Sequence, residues 1–241
     1  MGGYAELCAE TQGISRADQD AHADESYRRS REAIASNLFA DEMVPISVPG
    51  KKRGTTVEVT QDDEPAASSK PAADARPAFK KGGTVTAANA STISDGAAAV
   101  LLMSRRAAEA HGCEILATIR GYGDAEQDPS LFTTAPALAL PKAASHAGLG
   151  SLAEVDFFEI NEAFSVVSCA NNKLLGLDPA KVNVHGGAVS LGHPIGASGA
   201  RIVVTLLHVL RQKGGNIGAA GIWYASRTRE MRHQAHPACS R

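Results

Sequence analysis

Hydrophobic and polar positions change their spacing several times along the chain. Residues 1–40 carry a helical pattern, and Ser15 followed by Asp18 predicts a capping box that opens a polar helix reaching about Ala35. Residues 41–60 read as extended: Met43, Val44, Ile46 and Val48, a Pro49-Gly50 turn, then Thr55 to Val59. Residues 61–78, rich in Pro, Ala, Ser and Asp, predict an exposed loop. Thr84-Val85-Thr86 is strand-like, Asn89 to Gly96 is a turn of small residues, and Ala97 to Arg106 is apolar before it ends in charges.

Strands and helices then alternate. The pattern predicts strands over Ile115–Gly121, Val155–Ile160, Val182–Val184 and Ile217–Ile222, and helices over Ala135–Ala147, Glu162–Leu175 and Ala200–Lys213. Such alternation predicts an α/β layered sheet. The last of these helices has almost no polar face, which predicts burial on all sides. Gly214-Gly215 stops it, and Arg211 and Lys213 suit its negative end. Beyond Ile222 the periodicity vanishes, so residues 223–241 read as a disordered tail.

A composition of 44% hydrophobic and 21% charged residues permits a buried core, built mainly from aliphatic side chains because aromatics are only 5%. A net charge of −2 argues against a nucleic-acid surface, and no apolar run is long enough for a membrane span. The start of the chain has no signal-peptide pattern, and the four cysteines, Cys8, Cys113, Cys169 and Cys239, read as free thiols of an intracellular protein.

Three segments could carry chemistry. The first is Gly186 to Arg201, GGAVSLGHPIGASGAR, where five glycines surround His193 ahead of a helix start. Glycines permit close backbone approach to a ligand, and a histidine there can move a proton or donate to a carbonyl oxygen. A structural glycine-rich turn with a satisfied histidine accounts for the same residues. The second is Asn161-Glu162-Ala163-Phe164, placed where a strand ends. Asn161 could orient a water there, or simply cap the helix expected from Glu162. The third is Thr84 to Gly96, a wall suited to a bulky polar ligand or an ordinary polar turn. His233-x-x-His236-x-x-Cys239 resembles metal-ligand spacing but lacks a further ligand pair.

In order and spacing these three segments resemble the thiolase family, in particular its biosynthetic acetoacetyl-CoA branch. Met1-Gly2 with Ala5-Glu6, Ile14-Ser15-Arg16 with Gln19-Asp20, and Phe39 with Asp41-Glu42 and Val44-Pro45 are similar to further family motifs. A ketoacyl synthase has a similar fold but matches Asn-Glu-Ala-Phe and the single histidine loop less well. The resemblance implies a layered α/β/α/β/α fold. Residues 1–85 would form most of a coenzyme A-holding loop domain, residues 86–222 most of the C-terminal half, and residues 223–241 a divergent tail.

The implied activity is interconversion of two acetyl-CoA with acetoacetyl-CoA plus CoA, without a required cofactor. A cysteine of the N-terminal half would take the acyl group, His193 would activate it, Asn161 would hold a water in an oxyanion hole, and a second cysteine would move the α-proton. Phe79, Ala87, Ser91, Ala163 and Phe164 match positions along the coenzyme A path. Tyr27, Ala87, Ala88, Ala90 and Val189 match a potassium site of some members. The resemblance also implies a homo-oligomer, dimer or tetramer, for the full-length protein; the cytoplasm is the favoured compartment, with mitochondria as the alternative. Two departures stand out. None of the cysteines lies in a matching motif, and Trp223-Tyr224-Ala225-Ser226 stands where the second cysteine is expected. These departures predict a catalytically silent chain, acting at most as a coenzyme A binder or subunit partner.

Overall fold

The computed structural model describes residues 1–67, 71–223 and, as backbone, 233–240. The chain opens with helices α1 (Gly2–Gln12) and α2 (Arg16–Ala35). The expected capping box is present: Ser15 Oγ accepts from Asp18 N at 3.1 Å, and the Asp18 carboxylate accepts from Ser15 N at 2.8 Å. Two strands, β1 (Ile46–Pro49) and β2 (Thr56–Val59), pair as an exposed antiparallel hairpin. The loop after it holds a short turn of helix, α3 (Glu64–Ala67), and a 3-10 turn at Ala72–Asp74.

Thr84–Thr86 does not join a sheet. The buried Glu6 carboxylate of α1 accepts from Thr84 N at 2.9 Å and Val85 N at 3.0 Å, and Asn89 Oδ1 accepts from Thr86 N at 2.8 Å. Side-chain oxygens therefore satisfy the backbone groups that a neighbouring strand would otherwise engage. Residues 97–103 run irregularly over the surface, with Leu101 80% and Leu102 66% exposed, before helix α4 (Arg105–Ala110).

The remaining elements form one layered α/β unit. They are β3 (Thr118–Ala125), α5 (Ala135–His146), β4 (Phe157–Ile160), α6 (Ser165–Leu175), α7 (Ala188–Leu191), α8 (Ser198–Lys213), β5 (Ile217–Ile222) and β6 (His233–Ser240). The sheet order is β3-β6-β5-β4, with β4 and β5 parallel and β6 antiparallel to both its neighbours. Helix α5 covers one face and α8 the other. Leu140 of α5 packs with Phe158, Ile160 and Ala219, whereas Ile202, Leu206 and Leu210 of α8 pack with Ala220 and Ile222. Consecutive residues of a strand point to opposite faces, so Ala219 and Ala220 divide between the two cores. Two glycines of β3 admit α5: a Cβ on Gly121 or Gly123 would strike the backbone of Ala143.

Four further expectations change. Helix α8 buries one stripe, Ile202, Leu206, Val209 and Leu210, while Val203, Val204 and Leu207 are only half-buried, because the sheet covers a single side of it. Residues 182–184 make only isolated bridges, Phe158 with Val182 and Val184 with Gly186. Helix α6 begins at Ser165 rather than Glu162, since Ala163 and Phe164 are held extended: Ser91 N donates to Ala163 O at 3.2 Å and Ser165 N to Asn89 O at 2.8 Å. Finally, part of the tail read as lacking regular structure is a strand, β6. Its backbone pairing needs no apolar alternation, and Pro237 falls at the register shifts against both neighbours, where a missing N–H is tolerated. Tyr224, Ala225, Ser226 and the side chains of His233, His236 and Cys239 lie outside the described residues.

Candidate functional site

The site is assembled where the carboxyl end of β4 meets the start of α8. Asn161 directly follows β4, its N–H donating to Gly221 O at 2.9 Å as the last rung beside β5. It therefore does not cap α6. Its side chain is buried, with Nδ2 3.4 Å from His193 Nε2 and with Oδ1 buried and without a partner among the described residues. An unpaired buried amide oxygen is costly unless a ligand or water satisfies it.

His193 is fixed from several sides. The preceding Gly192 has φ 89° and would carry a Cβ into Ser94, so only glycine admits this turn. His193 N donates to Thr92 O at 2.9 Å, and the ring Nδ1 lies 2.6 Å from Ser198 Oγ at the first residue of α8. Burial and the nearby Arg201 charge push the imidazole down to about 4, so the ring is neutral at pH 7. The wall expected at Thr84 to Gly96 thus packs against the histidine loop itself. A shallow cleft of about 440 Å³ remains between Ser94–Ala98 and Pro194–Ala197.

Glu162 is the anchor beneath this arrangement. Its carboxylate accepts from Ser26 Oγ at 2.9 Å, Asn183 Nδ2 at 2.7 Å and Val189 N at 3.2 Å, and contacts His22 Nε2 at 3.0 Å. Burial raises the carboxyl, but the His22 charge and the hydrogen bonds from His22, Asn183 and Ser26 outweigh it and bring the group to about 2. Asn183 itself, at φ 48°, donates to Ile160 O and accepts from Ile160 N, both at 2.8 Å, extending the edge of β4 with a side chain. One carboxylate thus ties α2, the end of β4 and the histidine loop together.

The other expected site residues fall into two groups. Ser91 Oγ donates to Ala163 O at 2.9 Å, and the half-exposed Phe79 ring meets Phe164 edge-on at 6.2 Å, so Phe79, Ser91, Ala163 and Phe164 line one neighbourhood. Ala87 is exposed nearby in sequence and has no part in these contacts. Tyr27, Ala88 and Val189 pack together with Ala23 and Ala72, whereas Ala90 packs with the cluster around Phe164. Ser198, Glu162, Asn183, His22 and Ser26 are neighbours of the site that the reading of single motifs did not name; Glu162 and Ser198 had a local signal, their places in Asn161-Glu162-Ala163-Phe164 and in Gly186 to Arg201.

Two of the described thiols are held back from nucleophilic work. Burial pushes Cys8 up, and burial together with the charges of Asp18 and Glu162 pushes Cys169 to about 12. Trp223 packs its ring 4.5 Å from that of Phe132. Among the described residues, no group of three or more His, Cys, Asp or Glu could hold a metal ion, and no helix is long and apolar enough to cross a membrane.

Comparison with known proteins bears directly on this arrangement. Residues 1–106 match the model of the thiolase N-terminal domain and residues 113–228 that of the thiolase C-terminal domain. An acetyl-CoA acetyltransferase of Schizosaccharomyces pombe is 51% identical over 92% of this chain and 56% of its own length. The crystal structure of the Bacillus anthracis acetyl-CoA acetyltransferase superposes with a TM-score of 0.93 at 39% identity, covering 100% of this chain and 60% of that one. A thiolase from Ascaris suum in complex with coenzyme A gives a TM-score of 0.89 at 41% identity, over 100% of this chain and 60% of that one. The chain spans about half the length of the curated relatives it matches.

Proposed function

Because the chain belongs to the thiolase family, we propose that its site serves acyl-CoA C-acyl transfer, interconverting two acetyl-CoA with acetoacetyl-CoA plus CoA. The observation that carries this reading is the approach of Asn161 to a neutral His193 at 3.4 Å, with the Asn161 Oδ1 left buried and unpaired. A neutral imidazole can take the proton of a thiol and later return it. Asn161 can hold a water that, with the protonated ring, faces the thioester oxygen as it gains charge. Phe79, Ser91, Ala163 and Phe164 supply an apolar and hydroxyl-bearing surface for the pantetheine arm of coenzyme A, and Ala87 flanks it.

The reaction needs a thiolate beside His193; burial raises Cys8 and Cys169, and none of Cys8, Cys113 and Cys169 is among the described contacts of His193. Residues 1–241 alone are therefore expected to bind coenzyme A without turnover. Isothermal titration of this chain with coenzyme A should show saturable binding weakened by Phe164→Ala, and absence of binding would overturn the reading. Robust thiolysis of acetoacetyl-CoA by the same preparation would instead overturn the expected silence of the chain.

A potassium ion fits the chemistry of the Tyr27 cluster. The Tyr27 hydroxyl and the backbone carbonyls of Ala87, Ala88, Ala90 and Val189 are hard oxygen donors, and Tyr27, Ala88 and Val189 are already packed together. Such an ion would brace α2 against the histidine loop. Residence in the cytoplasm and assembly into dimers or tetramers complete the proposal.

A further inference from the structure

We propose that Ser198 is a positioning residue that fixes the tautomer of His193, its hydroxyl oxygen accepting the Nδ1 proton so that Nε2 is left bare toward Asn161. This inference rests on the proton-transfer reading of His193 given above.

Two contacts fit the same tautomer of the ring. A serine hydroxyl has one proton. Ser198 Oγ gives that proton to Pro194 O at 3.1 Å, the backbone acceptor four residues earlier. With the hydroxyl so turned, its oxygen presents lone pairs to His193 Nδ1 at 2.6 Å, the arrangement in which Nδ1 carries the hydrogen. At the far edge of the ring, the Asn161 amide nitrogen faces Nε2 at 3.4 Å. An amide nitrogen only donates, so with the Asn161 amide so turned Nε2 is the nitrogen that accepts.

The geometry also resists exchange. Ser198 is fully buried, so no bulk water competes for its hydroxyl. Ala197 N and Ser198 N donate to the same Pro194 carbonyl at 2.7 and 2.9 Å, which closes the Pro194–Ala197 turn and locks Ser198 onto the end of α8. His193 N is meanwhile tied to Thr92 O at 2.9 Å. The imidazole is thus gripped at its backbone and at Nδ1, and only Nε2 is available to exchange a proton with a substrate or thiol.

The test uses residues 1–241 with 15N-labelled histidine, with long-range proton–nitrogen correlation at pH 7 to read which ring nitrogen bears hydrogen. His193→Gln identifies the signals. The expected result is a single Nδ1–H tautomer for His193, lost to a mixed or Nε2–H pattern in Ser198→Ala and regained in Ser198→Thr. The ring signals of His22 and His185 report the fold; if Ser198→Ala unfolds, Ser198→Cys, close in volume but a poor acceptor, decides. An Nε2–H tautomer in the unsubstituted chain, or an unchanged pattern in the folded variant lacking the hydroxyl, would overturn the inference. Coenzyme A titration is separate: Nδ1–H without coenzyme A binding sinks only the functional proposal, and binding with Nε2–H sinks only this one.

Discussion

The carboxyl group of Glu162 occupies the space that a side chain on Gly187 would need: a Cβ built on Gly187 would collide with Glu162 Cδ and both of its oxygens. The backbone of Gly187 is extended, so closeness rather than torsion demands glycine here. Gly187→Ala should displace the carboxylate from Ser26, Asn183 and Val189 together. The expected loss is about 3 kcal/mol, the range for a buried charge deprived of its partners. Urea unfolding would measure it, and a change under 0.5 kcal/mol would show that the carboxylate relocates freely.

Glu162 also sets an acid limb of stability. Its folded value of about 2 lies below the ordinary carboxylate value, so its contribution is complete above about 4.5 and is lost as pH falls towards 2. Glu162→Gln should be less stable at neutral pH and should lack that part of the acid decline. Parallel pH–stability curves for the two proteins between pH 2 and 5 would contradict the assignment.

His193 should titrate at about pH 4 by NMR, because its burial and the Arg201 charge both disfavour the imidazolium. Its folded value is depressed, so stability drawn from the neutral ring is complete above about 6.5 and falls as pH drops towards 4. Arg201→Leu removes the charge and should move the titration upward. A histidine titrating near 6.5 in the unsubstituted chain would contradict the environment described.

Glu42 gives the opposite slope. Burial raises it to about 7, opposed by the Thr205 hydroxyl, whose Oγ1 donates at 3.2 Å, and by Arg201, while Asp62 adds to the rise. A carboxyl raised on folding stabilises fully below about 4.5 and progressively less as pH climbs through 7. Glu42→Gln should therefore have a higher melting temperature than the unsubstituted chain at pH 8.5 and nearly the same one at pH 5. Calorimetry at the two pH values checks the crossover.

Local patterns made much of the fold legible. Ser15 and Asp18 announced the start of α2, and Ile217–Ile222 and the helix ending at Gly214 fall at the expected places. The elements misread were those decided by distant partners. Glu6 occupies the backbone of Thr84 and Val85, and Asn89 and Ser91 hold Ala163 and Phe164 extended against helical spacing. The site divides in the same way. His193 and Asn161 each sat in a recognisable motif, whereas His22 meets Glu162 from 140 residues away, beyond what any local window contains.

The irregular stretch through Val100, Leu101, Leu102 and Met103 bears on how the chain would fare in a cell or a test tube. Extended apolar backbone at the surface is what chaperones grip and what proteases cleave. Limited proteolysis should nick residues 97–104 first, and non-ionic detergent should lower light scattering of the purified chain. Its solution lifetime is then governed by this segment, even while the core around Leu140 and Leu206 stays folded.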